Sequence, residues 1–116
     1  MKKLVFFQAL LIAVVMLVSC SSTSSDFINA YEEATEELET ATSNEDCDKI
    51  HDKLMHRLYE ITQSDENWEE ALADEDVKNA YEAWYEALKK ATTDNYYMFM
   101  VHCTPKSAIE YCENMR

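Results

Sequence analysis

The sequence predicts an all-α protein, a small antiparallel three-helix bundle with a short C-terminal closing helix, and three observations predict it. The 116 residues include no glycine and a single proline, Pro105. A sheet of several strands needs tight turns that draw on glycine at positive φ, whereas helical connections are readily built from Ser, Thr, Asn and Asp. These four types cluster at Thr42-Ser43-Asn44, Ser64-Asp65 and Thr92-Thr93-Asp94-Asn95, and between the clusters apolar residues recur at steps of three and four.

The first helix is expected to open at Asp26, a fair N-cap, and to carry Phe27, Tyr31, Ala34, Leu38 and Ala41 on one stripe, with Glu32, Glu33, Glu36, Glu37 and Glu39 turned mostly to water. A second helix follows Ser43-Asn44 and places Cys47, Ile50, Leu54, Leu58 and Ile61 on its stripe, ending near Gln63. Only a few polar residues connect the two, so they must lie antiparallel. Trp68, Ala71 and Leu72 suggest one or two helical turns. Asp74-Glu75-Asp76 then forms the acidic first turn of a third helix, where the macrodipole favours carboxylates. Its inward positions are Val77, Tyr81, Trp84, Tyr85, Leu88 and Ala91, and Thr92 to Asn95 break or weaken it. The run Tyr96 to Val101 is apolar nearly all round, as in a buried segment or a partner surface. Thr104 caps a last helix with Pro105 at its first position, where the missing N–H does no harm, and Ile109 and Cys112 face inward.

The amino terminus is different in kind. Met1-Lys2-Lys3 is followed by an apolar stretch from Leu4 to Val18, interrupted only by Gln8. As a helix it would rise about 22 Å, short of the roughly 30 Å hydrocarbon core, so an export signal fits better than a stable membrane span. The stretch ends in Leu17-Val18-Ser19-Cys20, which resembles the lipobox of bacterial lipoproteins. The resemblance covers the first 20 residues only. It implies that residues 1–19 are a cleaved signal peptide, that Cys20 receives a diacylglycerol group, and that further acylation, for instance by palmitate, makes the anchor stable. Ser21-Ser22-Thr23-Ser24-Ser25 then reads as a polar tether, giving a lipidated Cys and Ser-rich linker over 20–25 and an acidic helical domain over 26–116. In enterobacterial lipoproteins the residue after the cysteine influences sorting, and Ser21 is compatible with outer-membrane delivery.

Removal of the leader leaves 97 residues carrying eight basic against 23 acidic side chains, a formal charge of −15. Such a surface repels nucleic acid and anionic headgroups and favours basic proteins, cationic ligands or simple solubility.

Three cysteines remain in the domain, Cys47, Cys103 and Cys112. In an oxidising compartment an odd count points to one disulfide. Cys47 near the top of helix 2 is expected to pair with Cys112 if helix 3 overshoots to His102, with Cys103 as the alternative partner. No Cys-x-x-Cys is present for redox work. Met98-x-Met100-x-His102-Cys103 groups soft ligands that suit Cu(I), but residues two apart on a helix diverge, so a methionine-rich core is the commoner meaning. Asp48-x-x-His51 matches half of a di-iron motif whose Glu-x-x-His pairs are missing, leaving His51 and His56 as surface residues. The glutamates from Glu32 to Glu39 read as solvated helix surface. Neither His-Glu-x-x-His nor a glycine-framed nucleophile turn occurs.

The expected function is therefore non-enzymatic: a lipid-anchored protein of the bacterial cell envelope, without a cofactor, acting as a protein-interaction or structural module. Its partners would be the membrane, through the anchor, and another protein, met through acidic faces and through aromatics such as Trp68, Tyr81, Trp84, Tyr85, Tyr96 and Tyr97. The alternatives are an immunity or inhibitor protein against a basic toxin and a small-ligand, metal or haem carrier using the bundle interior.

Overall fold

The structure is a computed structural model and describes residues 22–92 and 103–114. The described chain is helical throughout its elements: α1 (Ser22–Glu39), α2 (Asn44–Ser64), a 3-10 turn (Trp68–Ala73), α3 (Glu75–Ala91) and α4 (Pro105–Asn114). The all-α bundle expected from the apolar period is what forms.

Local chemistry accounts for most of the boundaries. Ser43 has extended backbone angles and its hydroxyl accepts from the Asp46 N–H, the N-cap arrangement that contributes about 1 kcal/mol. Asp74 does the same for α3 through the Asp76 N–H at 2.9 Å, and Lys89 and Lys90 occupy the last turn, where positive charge meets the helix dipole. Helix α3 ends at Ala91, with Thr92 extended and its N–H bonded back to the Leu88 carbonyl. Thr104 caps α4 by accepting from the Ser107 N–H at 3.2 Å, immediately before Pro105.

Helix α1 begins four residues earlier than expected. Ser22 to Ser25 belong to its first turn, and Thr23 and Ser24 are buried at 6% and 3% exposure. The cause is tertiary: the Thr23 hydroxyl donates to Asp65 Oδ2 at 2.5 Å, tying the start of α1 to the end of α2. The Ser-rich stretch is thus not a free tether over 22–25, and the helical domain starts at Ser22 rather than Asp26.

Helices α1 and α2 are antiparallel, with Lys53 to Glu37 at 2.6 Å and Arg57 to Glu33 at 3.1 Å across their exposed seam. Helix α3 returns parallel to α1, so that Ile28 shares a cleft with Asp76 and Leu38 shares one with Ala87. The core between them is centred on Phe27, Tyr31, Leu58, Trp84 and Leu88, each at most 1% exposed. Burying each such side chain contributes about 1.5–3 kcal/mol.

Helix α4 is the short C-terminal helix of the bundle. It lies along α2, with the Cys112 thiol against the Met55 carbonyl and Tyr111 reaching Asp52. Its approach is anchored by the Tyr31 hydroxyl, which donates to the Cys103 carbonyl at 2.6 Å. Inside α4 the buried residues are Pro105, Ala108 and Cys112, while Ile109 is half-buried. The small Ala108 lets the short helix approach its neighbours closely.

Candidate functional site

Three places bring together side chains with chemical potential. The first is the seam between α2 and α4. Tyr111 projects from α4 between two histidines of α2, edge-to-face with His51 at 5.9 Å and with His56 at 6.2 Å between ring centroids. Its hydroxyl donates to Asp52 Oδ1 at 2.7 Å. His56 Nδ1 lies 2.9 Å from the Asp52 carbonyl, so the tautomer carrying hydrogen on Nδ1 is the one that bonds. Burial pushes the His51 pKa below the usual histidine value, against the opposing pull of Asp48 and Asp52. The bond to Asp52, together with partial burial, pushes the Tyr111 phenol up to about 12.

Because the folded state raises that phenol from 10.0 to about 12, the stabilisation it supplies is complete below pH 10 and is lost as the pH rises through 12. A spectroscopic tyrosine titration of the native protein is expected to show a phenol ionising near 12 that disappears in Tyr111→Phe. An unchanged titration in that variant would refute the assignment.

The second place is the aromatic cluster of α1 and α3. Tyr31 stands edge-on to Tyr81 at 5.6 Å, and Trp84 packs against both Tyr31 and Tyr81. Tyr81 and Tyr85, one turn apart, have nearly parallel rings 6.5 Å apart, and Lys89 continues the row with its ammonium 5.1 Å from the Tyr85 ring centre. Trp84 is fully buried, and its indole N–H has no hydrogen-bond partner among the described residues. Tyr81, Tyr85 and Trp68 are half-buried, so part of the aromatic surface does reach water. An apolar cleft of about 300 Å³ opens beside Tyr31 and Tyr81, with Val77, Thr104 and Pro105 on its walls.

The third is the set of cysteines. Cys47, Cys103 and Cys112 are all buried, and none is in a disulfide. Cys47 does reach the level of the α3 terminus, its thiol 3.8 Å from the Ala91 carbonyl. Cys112 instead lies at Met55, 3.8 Å from its carbonyl, two turns and about 12 Å further along α2. A disulfide needs Cα atoms within about 7 Å, and the expected Cys47–Cys112 bridge is not present in this structure. That pairing requires a third helix running on to His102, and α3 ends at Ala91. The alternative partner, Cys103, is held at mid-bundle by Tyr31. Burial raises the pKa of both Cys47 and Cys103 above the ordinary thiol value, the direction opposite to activation.

Other sequence candidates fall where the residues stand. Cys20, Met98, Met100 and His102 lie outside the described residues, as do Tyr96 and Tyr97. Among the described residues no group of three His, Cys, Asp or Glu side chains is placed to hold a metal ion. Glu33 and Glu37 are engaged by Arg57 and Lys53. Burial and the neighbouring Glu36 raise the Glu32 pKa. Among the described residues no helix is long and apolar enough to cross a membrane.

The role of Tyr111 was not legible beforehand. It sits 59 residues from the Asp52 it bonds, and a tyrosine beside an inward cysteine carries no local signal of that pairing. Surface positions are the expectation for both histidines; His56 is exposed, whereas His51 is half-buried, in ring contact with Tyr111 of α4.

Comparison with protein-family models, with curated proteins and with solved structures finds no match.

Proposed function

We propose that the protein is a lipid-anchored, non-enzymatic component of the bacterial cell envelope that works as an interaction or structural module. The observation that carries this reading is Leu17-Val18-Ser19-Cys20 at the end of a basic-then-apolar leader, immediately ahead of an acidic helical bundle. A thiol at that position is the acceptor the lipobox resemblance implies, and two or three acyl chains suffice for stable anchoring.

Two further features support the module over chemistry. The thiol pKa values of Cys47 and Cys103 are moved away from reactivity, and the Tyr111 phenol is held protonated by Asp52. The centre is filled by Phe27, Tyr31, Leu58 and Trp84, which speaks against a carrier that stores its ligand in the interior. The charge of −15 on the mature chain favours a basic protein as partner, and neutralisation of a basic toxin is the second reading that this charge supports.

Metabolic labelling with radioactive palmitate tests the anchor. Label is expected in the wild-type product and absent from Cys20→Ala, and the variant is expected to leave the membrane pellet for the soluble fraction. Equal sedimentation of the two, or label retained by the variant, would refute the proposal.

A further inference from the structure

The amino terminus of α1, the carboxy terminus of α2, the 3-10 turn and the start of α3 meet at one end of the bundle. Thr23 bonds Asp65 there, and Ser24 faces Asp65, Asn67, Glu70 and Asp74 around one cleft. The opposite end carries the α1–α2 connection at Thr40 to Ser43 and the end of α3, joined where the Cys47 thiol meets the Ala91 carbonyl.

One residue, Ser21, separates Cys20 from the first residue of α1. Two peptide steps reach at most about 7 Å. No slack can be drawn from the first turn of α1 without exposing the buried Thr23 and Ser24 and breaking the bond to Asp65. A serine-rich stretch that looks like a flexible spacer is, beyond Ser21, part of the folded domain.

We infer that the bundle stands on the bilayer on this end, a step that rests on the lipoprotein reading of Cys20. The acyl chains enter the membrane directly beneath α1, the 3-10 turn lies at headgroup level, and the α1–α2 connection points outward, about 27 Å away along α1. The surface this end fits is that of zwitterionic phospholipid. Carboxylates at Asp65, Glu66, Glu69, Glu70, Asp74 and Glu75 crowd it, and an anionic leaflet would repel them within a Debye length. A protein partner then meets the sides of the bundle and its outer end.

The test uses the full chain, expressed in a bacterium that acylates lipoproteins, with acylation verified by intact mass, and reconstituted in phosphatidylethanolamine-rich vesicles containing headgroup-nitroxide lipid. A fluorophore is attached at Glu69→Cys, at the inner end, or at Thr42→Cys, at the outer end; both positions are exposed, while the native cysteines described are buried. Quenching at Glu69→Cys is expected to exceed that at Thr42→Cys at least twofold, and a long Gly-Ser insertion between Ser21 and Ser22 is expected to abolish the difference. Equal or reversed quenching in acylated protein would overturn the orientation, as would a difference that survives the insertion, since the short tether would then not be its cause. A product whose mass shows no acyl group would overturn the lipoprotein reading, and the orientation with it.

Discussion

Replacing Trp84 with alanine is expected to lower the unfolding free energy by about 3–5 kcal/mol, a large share of the total stability of a small domain, which is about 5–15 kcal/mol. Trp84 has no exposed surface and packs on Tyr31, Tyr81 and Tyr85, with ring centres 5.7 to 6.4 Å away. Its removal opens a cavity where α1 and α3 meet. Trp84→Phe supplies the control. The indole N–H is buried without a hydrogen-bond partner among the described residues, and leaving such a donor unsatisfied costs about 1–3 kcal/mol. Phenylalanine deletes that donor along with some volume, so the two effects offset and a net loss of about 1 kcal/mol is expected. Chemical denaturation followed by circular dichroism measures both variants. Equal losses would mean that the indole nitrogen has a partner after all.

The second large effect is expected at Tyr31→Phe, with a loss of about 1–3 kcal/mol. The hydroxyl is buried and donates at 2.6 Å to the carbonyl of Cys103, across 72 residues of sequence. Burial, with Cys103 and Tyr81 as lesser contributors, pushes its pKa far above the ordinary phenol value, so at neutral pH it remains a donor. Without it the Cys103 carbonyl loses this donor, and the approach to α4 loses its tie to α1. Amide hydrogen exchange locates the damage: α4 amides are expected to lose more protection than those of α2. Uniform loss over both helices would show that the bond acts on global stability alone.

Some of the fold was legible because its causes are local. Ser43 and Asp74 cap the helices they precede, their side chains accepting from backbone N–H groups two or three residues on, and the three-and-four spacing of Cys47, Leu54, Leu58 and Ile61 puts them on the buried face of α2. The last helix was legible at Thr104-Pro105 for the same reason. The first turn of α1 was not. Serine and threonine are indifferent helix formers, and what makes Ser22 to Ser25 helical is docking against Asp65, 42 residues away from Thr23.

The sequence by itself determined an acidic, all-helical chain with caps, breaks and apolar stripes, because each of these depends on neighbours within one or two turns. Only the tertiary structure decided that α4 lies along α2, that Cys112 faces Met55 instead of Cys47, that Tyr111 sits between two histidines, and that α1 starts at Ser22. Those outcomes are set by contacts between residues 42 to 72 positions apart. Such contacts arise when helices with equally apolar stripes choose among neighbours by shape, and a one-dimensional pattern does not encode that choice.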